Sequence, residues 1–149
     1  MIWAAFSDQG TTDLCFIEGN MDSTMYLYYL NTYLLPYAHR TFGTDFIYQQ
    51  DNASVHKSNE SKDWFREEGI EVLDWPSKSP DLNPIENLWG ILARKVYDCG
   101  KVQFKTKEHL INRIKKCWNE LDQEVLKKLI YLVPNRCIKV IETSGGKVL

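Results

Sequence analysis

Three prolines within nine residues, Pro76, Pro80 and Pro84, split this chain into two parts of different character. Proline fixes φ and has no N–H to donate, so neither a helix nor a central strand can run through Trp75-Pro76-Ser77-Lys78-Ser79-Pro80-Asp81-Leu82-Asn83-Pro84. Upstream of this rigid loop the pattern is strands and turns mixed with helices. Downstream it is helices alone.

Residues 1–6 read as a strand, Asp8-Gln9-Gly10-Thr11 as a turn and Leu14-Cys15-Phe16-Ile17 as a second strand, together an antiparallel hairpin. Asp22 or Ser23 can cap a helix with apolar residues at Met25, Tyr26, Tyr29, Leu30, Tyr33 and Leu34, and Pro36 is expected to end it. Phe46-Ile47-Tyr48 starts a third strand that turns polar at Gln49-Gln50-Asp51. A short helix fits 57–68, with Trp64 and Phe65 inward and Gly69 as its stop. Residues 70–75 make a fourth strand.

After the loop, Asn83 is placed as N-cap, Pro84 at the first helical position and Glu86 three residues beyond the cap. Ile85, Leu88, Trp89, Leu92 and Val96 form the buried stripe. Further helices are expected near 107–121, 123–132 and 135–143, and Gly145-Gly146 closes the ordered part. Strands first, then strand–helix–strand–helix, then helices only, describes an α/β fold with a helical C-terminal layer.

A length of 149 residues suits one domain with one core, and 44% apolar and 13% aromatic residues can fill it. The longest apolar runs fall far short of the roughly 20 residues that cross a bilayer. Met1–Phe6 has no basic start or long apolar stretch of a signal peptide. These features favour a soluble intracellular protein with no membrane contact. Cys15, Cys99, Cys117 and Cys137 are scattered, without zinc spacing, and are expected to be reduced and mostly buried.

Charge is uneven. Residues 1–93 hold 5 Lys and Arg against 14 Asp and Glu, whereas residues 94–149 hold 13 against 6. The basic part either meets a polyanion or simply coats the solvent faces of its helices.

Asp51-Asn52 follows the third strand, where open α/β sheets place ligands, with His56 close behind. Glu86 lies in the first turn of the helix after the Pro-rich loop, 34 residues (52 to 85) beyond Asp51. Two carboxylates delivered to one end of a sheet could help hold the divalent ions that activate an oxygen nucleophile and stabilise a leaving oxygen in phosphodiester chemistry. Structural readings stand beside this. Glu86 can complete a capping box with Asn83, Asp51-Asn52 can form a turn, and His56 can cap the next helix or face solvent.

Gln49-Gln50-Asp51-Asn52-Ala53-x-x-His56 and Trp75-Pro76-x-x-Ser79-Pro80-Asp81-Leu82-Asn83-Pro84-Ile85-Glu86-Asn87-Leu88-Trp89 resemble the two signature blocks of Tc1/mariner-type transposases, and the 34-residue gap resembles the family's DD34E arrangement. Phe16–Ser23 and Pro134-x-Arg136-Cys137-x-x-Val140-Ile141 also look like family segments. Ser54 departs from the proline common at that position. The resemblance covers nearly the whole chain. It implies an RNase H-like fold, with Asp51 and Glu86 as the second and third members of the DDE triad. It also implies Mg²⁺ or Mn²⁺ as cofactor and DNA (transposon ends and target) as partner, with no small-molecule cofactor. Asn52, His56 and Asn87 are possible DNA-contacting or supporting residues. Nuclear location follows from the resemblance alone, since Arg94-Lys95 and Lys115-Lys116 are only basic pairs.

In the family the first aspartate lies on a strand before the segment matching Met1–Ser7, and helix-turn-helix DNA-reading domains precede that. The expectation is therefore a partial catalytic domain over 1–149, without its first strand or N-terminal DNA-binding domain. It would be inactive or nearly so alone, weakly metal-binding and prone to self-association through open strand edges. The alternatives are a repurposed non-catalytic DNA- or protein-binding module, or a nuclease that borrows a carboxylate from a partner chain.

Overall fold

A computed structural model describes residues 1–51, 53, 55–75 and 79–142. The expected roles of Asn52, Ser54, Pro76–Lys78 and Gly145-Gly146 lie outside the described residues. Contacts group the chain into two units, Met1–Ala5 with Thr11–Ser79, and Phe6–Gly10 with Pro80–Leu149.

In the first unit, Ile2–Trp3 (β1) pairs antiparallel with Cys15–Phe16 (β4), Ile2 opposite Phe16 and Trp3 opposite Cys15. This is the hairpin read from the sequence. Its turn contributes a second small ribbon, Phe6–Ser7 (β2) with Gly10–Thr11 (β3). Ile47–Tyr48 (β5) and Glu71–Val72 (β6) pair in parallel, Ile47 opposite Glu71 and Tyr48 opposite Val72. The Leu73 N–H extends this ladder to the Tyr48 carbonyl at 2.8 Å. Parallel neighbours need a crossover, and Asn59–Glu67 (α3) supplies it. Ser58 caps α3 by accepting from the Ser61 N–H, and Gly69, at φ 68°, provides the left-handed stop. Among the described residues the strands form three separate two-stranded ribbons, each strand two residues long.

Helix Ser23–Tyr29 (α1) is capped by Asp22, whose carboxylate accepts from the Met25 N–H at 2.8 Å. The expected stop at Pro36 is a correction. The helical path widens into a π-helical stretch at Leu30–Leu34 and continues as Leu35–Phe42 (α2), with Pro36 in the first turn of α2. A proline removes one N–H and crowds the preceding carbonyl. The wider turn accommodates both, so the chain passes through without ending. Tyr26, Leu30 and Leu34 then bury against Tyr48 and Phe65, with Trp3, Trp64, Ile70 and Val72 packed around them.

In the second unit, Pro84–Tyr97 (α4) starts where Pro84 predicts. Asn83 has the extended backbone of an N-cap and is buried, but its side chain makes no cap bond to the helix, so the capping box with Glu86 is not assembled from that side. Asp98, at φ 45°, ends α4 in place of a glycine. Lys107–Asn119 (α5) is capped by Thr106 and Gln123–Tyr131 (α6) by Asp122. Val133–Glu142 (α7) follows at once.

Leu88, Leu92 and Val96 of α4 bury with Cys117, Trp118, Leu126 and Leu129. Trp89 stacks on Trp118 with centroids 5.5 Å apart. The hairpin turn joins this unit: the Asp8 carboxylate accepts from the Tyr131 hydroxyl at 2.8 Å. Cys15 and Cys117 are buried free thiols as expected, but Cys137 is exposed, because α7 turns that side to solvent. No helix among the described residues is long and apolar enough to cross a membrane.

Candidate metal-binding site

Asp51 sits three residues past Tyr48, beyond the carboxyl end of β5, and Trp75 sits three past Val72, beyond the same end of β6. Parallel pairing therefore brings both loops to one end of the ribbon. The Trp75 indole N–H donates to the Gln50 carbonyl at 2.7 Å and ties the two loops together. A cavity of about 450 Å³ opens there, lined by Gln50, Asp51, His56, Lys57, Lys62, Arg66 and Trp75 among others.

Asp51 is held through one of its oxygens. Oδ1 accepts from the Ala53 N–H at 2.9 Å and faces His56 Nδ1 in a close side-chain contact. Both contacts fall on Oδ1, so Oδ2 is left without a partner among the described residues. The His56 contact, together with the Ala53 N–H, outweighs burial and holds the Asp51 carboxyl below the usual carboxylate range. Asp51 is thus an ionised hard-oxygen donor, with its side chain 49% exposed.

His56 neither caps α3 nor points to solvent. Ser58 takes the cap, and the imidazole, 14% exposed, stacks on Tyr26 with centroids 4.1 Å apart. Beneath it lies a polar chain that the sequence reading missed. The Tyr26 hydroxyl donates to Gln50 Oε1 at 2.7 Å and meets the Tyr48 hydroxyl at 3.0 Å. Gln50 Nε2 donates to the His56 carbonyl at 3.0 Å. Tyr26 and Tyr48 lie on a helix and a strand 22 residues apart, so only packing brings them together. No local spacing signals the pair.

Glu86 is exposed in the first turn of α4, where the partial positive charge of the helix N-terminus favours a carboxylate. Its neighbour Asn87 is engaged: Arg136 Nη1 donates to Asn87 Oδ1 and to the Asp81 carbonyl, the latter at 3.2 Å. The last helix thereby grips both sides of the turn that presents Glu86. Among the described residues no three His, Cys, Asp or Glu side chains cluster closely enough to hold a metal by themselves. The donor type still fits a hard cation, since magnesium takes one or two protein carboxylates and fills its shell with water and phosphate oxygens.

Known proteins give this arrangement a context. Residues 1–111 match the family described as DDE superfamily endonuclease. The chain is 40% identical over 148 residues to the Tc3 transposable-element transposase of Caenorhabditis elegans, covering 99% of this chain and 45% of that protein. It is 35% identical over 145 residues to the Tc1 transposase of the same organism, covering 97% and 52%. It therefore spans about half the length of the curated relatives it matches.

Among solved structures, the Mos1 strand transfer complex aligns with a TM-score of 0.84 at 19% identity, over 99% of this chain and 43% of that one. The Mos1 transposase catalytic domain with raltegravir and Mg aligns at 0.82 and 19%, over 99% and 76%. At such identity these two matches speak to the fold, which is RNase H-like. With the endonuclease family matched over most of its length and transposases matched over nearly all of it, the chain belongs to the DDE superfamily endonucleases, in their Tc1/mariner transposase branch.

Proposed function

We propose that this chain forms part of the catalytic core of a metal-dependent DNA transposase that cleaves transposon ends and joins them to target DNA. Asp51 and Glu86 are its metal-binding carboxylates. The observation that carries the reading is Asp51 itself: ionised, pinned through Oδ1, with Oδ2 unpartnered among the described residues, beside a cavity at the carboxyl end of parallel strands. Mos1 structures with Mg or Mn and with a transposon end support the metal and the DNA as partners for this chain too.

When bound, a divalent cation would lower the pKa of an attacking water or hydroxyl and stabilise the leaving oxygen. The chain's own residues supply the surroundings. Asp51 offers an oxygen of fixed direction, and Glu86 offers a carboxylate from a helix N-terminus. Lys57 and Lys62 line the same cavity as Asp51 and bring positive charge to a phosphodiester. Arg94, Lys95 and Lys116 stand exposed on α4 and α5, which suits salt-dependent contact with DNA phosphates further from the reaction.

Transposition and integration place the working protein in the nucleus. Two-stranded ribbons leave strand edges for a second chain, which supports self-association. Two carboxylates are a thin shell for this chemistry, so these 149 residues on their own are expected to be inactive or nearly so.

Two assays test the reading. Incubated alone with a pre-cut transposon end, plasmid target and Mn²⁺, the chain should give no more strand transfer than its Glu86→Ala variant. Substituted for the matching span of the Tc3 transposase, it should sustain end cleavage, and Asp51→Asn or Glu86→Gln should each abolish it. Cleavage that survives both substitutions would refute the assignment.

A further inference from the structure

Tyr26 is fully buried, and Tyr48 nearly so, yet both carry hydroxyls within the apolar core of the first unit. Burying a hydroxyl is costly unless it is bonded, so a satisfied chain of this kind specifies one arrangement of its members. Its direction can be worked out. Each phenol has one proton. Tyr26 gives its proton to Gln50 Oε1, so Tyr48 must donate to the Tyr26 oxygen. Burial pushes the Tyr48 phenol up to about 12 and that of Tyr26 well above its ordinary value, so both protons stay in place. The amide of Gln50 is then fixed in one orientation, and its Nε2 anchors the His56 backbone at the carbonyl. The Tyr26 ring supports the His56 imidazole from below.

We propose that Tyr26 and Gln50 are positioning residues for Asp51. The Tyr48–Tyr26–Gln50 chain holds His56 by its carbonyl and its ring face, His56 holds Asp51 by Oδ1, and Oδ2 is thereby aimed at a divalent cation. This rests on the reading of Asp51 as a metal ligand. It adds that the aim of its carboxylate is set from the core, four side chains deep, and not by the exposed loop alone. Partners that orient a metal ligand typically matter by 10–100-fold in metal affinity.

The test compares the full 149-residue chain with Tyr26→Phe, Gln50→Ala and Asp51→Asn. Mn²⁺ affinity is read from the free-ion electron paramagnetic resonance signal at 10 °C, and folding is checked by circular dichroism at that temperature. Tyr26→Phe keeps the stacked ring and removes only the hydroxyl. It and Gln50→Ala should each weaken Mn²⁺ binding roughly 10-fold, while Asp51→Asn weakens it at least as much. A purely structural role would lower the melting temperature and leave the affinity of the folded protein unchanged.

Loss in Asp51→Asn with wild-type affinity in the other two overturns the inference and leaves the metal site standing. Wild-type affinity in Asp51→Asn removes the metal role, and the inference with it. If Tyr26→Phe does not fold, Gln50→Ala, whose side chain is only half-buried, decides the matter by the same comparison.

Discussion

Replacing Arg136 by methionine keeps the length and apolar stem of the side chain and removes its two hydrogen bonds across α7. Both run to acceptors around the Glu86 turn, the Asp81 carbonyl and Asn87 Oδ1. A hydrogen bond to a charged group is worth about 1.5–3 kcal/mol net. Arg136 is half-buried, so solvent replaces part of each bond when it is lost. The expected cost is about 2 kcal/mol, which at roughly 2–4 °C per kcal/mol for a domain of this size lowers Tm by about 4–8 °C. Both bonds leave from the one nitrogen Nη1, and an ammonium also carries several N–H donors, so Arg136→Lys, limited by its shorter reach, should recover about half. Thermal and urea melts followed by circular dichroism measure both. A methionine variant within about 0.3 kcal/mol of wild type, or a lysine variant no better than methionine, would refute the clamp.

Other consequences follow from the same geometry. Leu88 is 0% exposed at the centre of the second unit, so Leu88→Ala should cost about 2–5 kcal/mol in a urea melt. Because its contacts lower the Asp51 pKa, Asp51 contributes stability that is full above the unfolded carboxylate pKa and is lost as pH falls through its folded value. Tm of wild type should therefore drop more steeply on acidification than that of Asp51→Asn, and parallel curves would contradict the His56 contact. Cys137 should react quickly with a thiol reagent while Cys15, buried and with its thiol pushed up to about 11, stays protected until unfolding. Cys137→Ser should remove the fast phase.

The sequence was most readable where one residue type dictates backbone geometry. Gly69 ends α3, Pro84 opens α4 and the Asp8–Thr11 turn closes the hairpin, because each depends on φ, on a missing N–H or on turn chemistry. Pro36 misled for the same reason: the rule that proline ends a helix holds for α-helical bonding, and the chain shifts to a wider turn instead.

Spacing and motif single out Asp51 and Glu86 as the proposed metal ligands. The contacts around them carry no such signal in the sequence. The sequence allows His56 to cap a helix or face solvent, and in the structure it does neither. Its place depends on Tyr26, Tyr48 and Gln50, which come from a helix, a strand and a loop. Arg136 reaches Asn87 across 49 positions of sequence. Such contacts arise only after packing, and a single sequence carries no periodic trace of them.

The central claim is that Asp51 and Glu86 both bind the divalent cation used in the reaction. Iron(II) substituted for the cation cuts polypeptide only next to where it is held, so peroxide-driven cleavage mapped by mass spectrometry tests this directly. The account predicts cuts beside both residues, with both sets lost in Asp51→Asn and in Glu86→Gln. Cuts at one residue only, or a pattern indifferent to both substitutions, would contradict it.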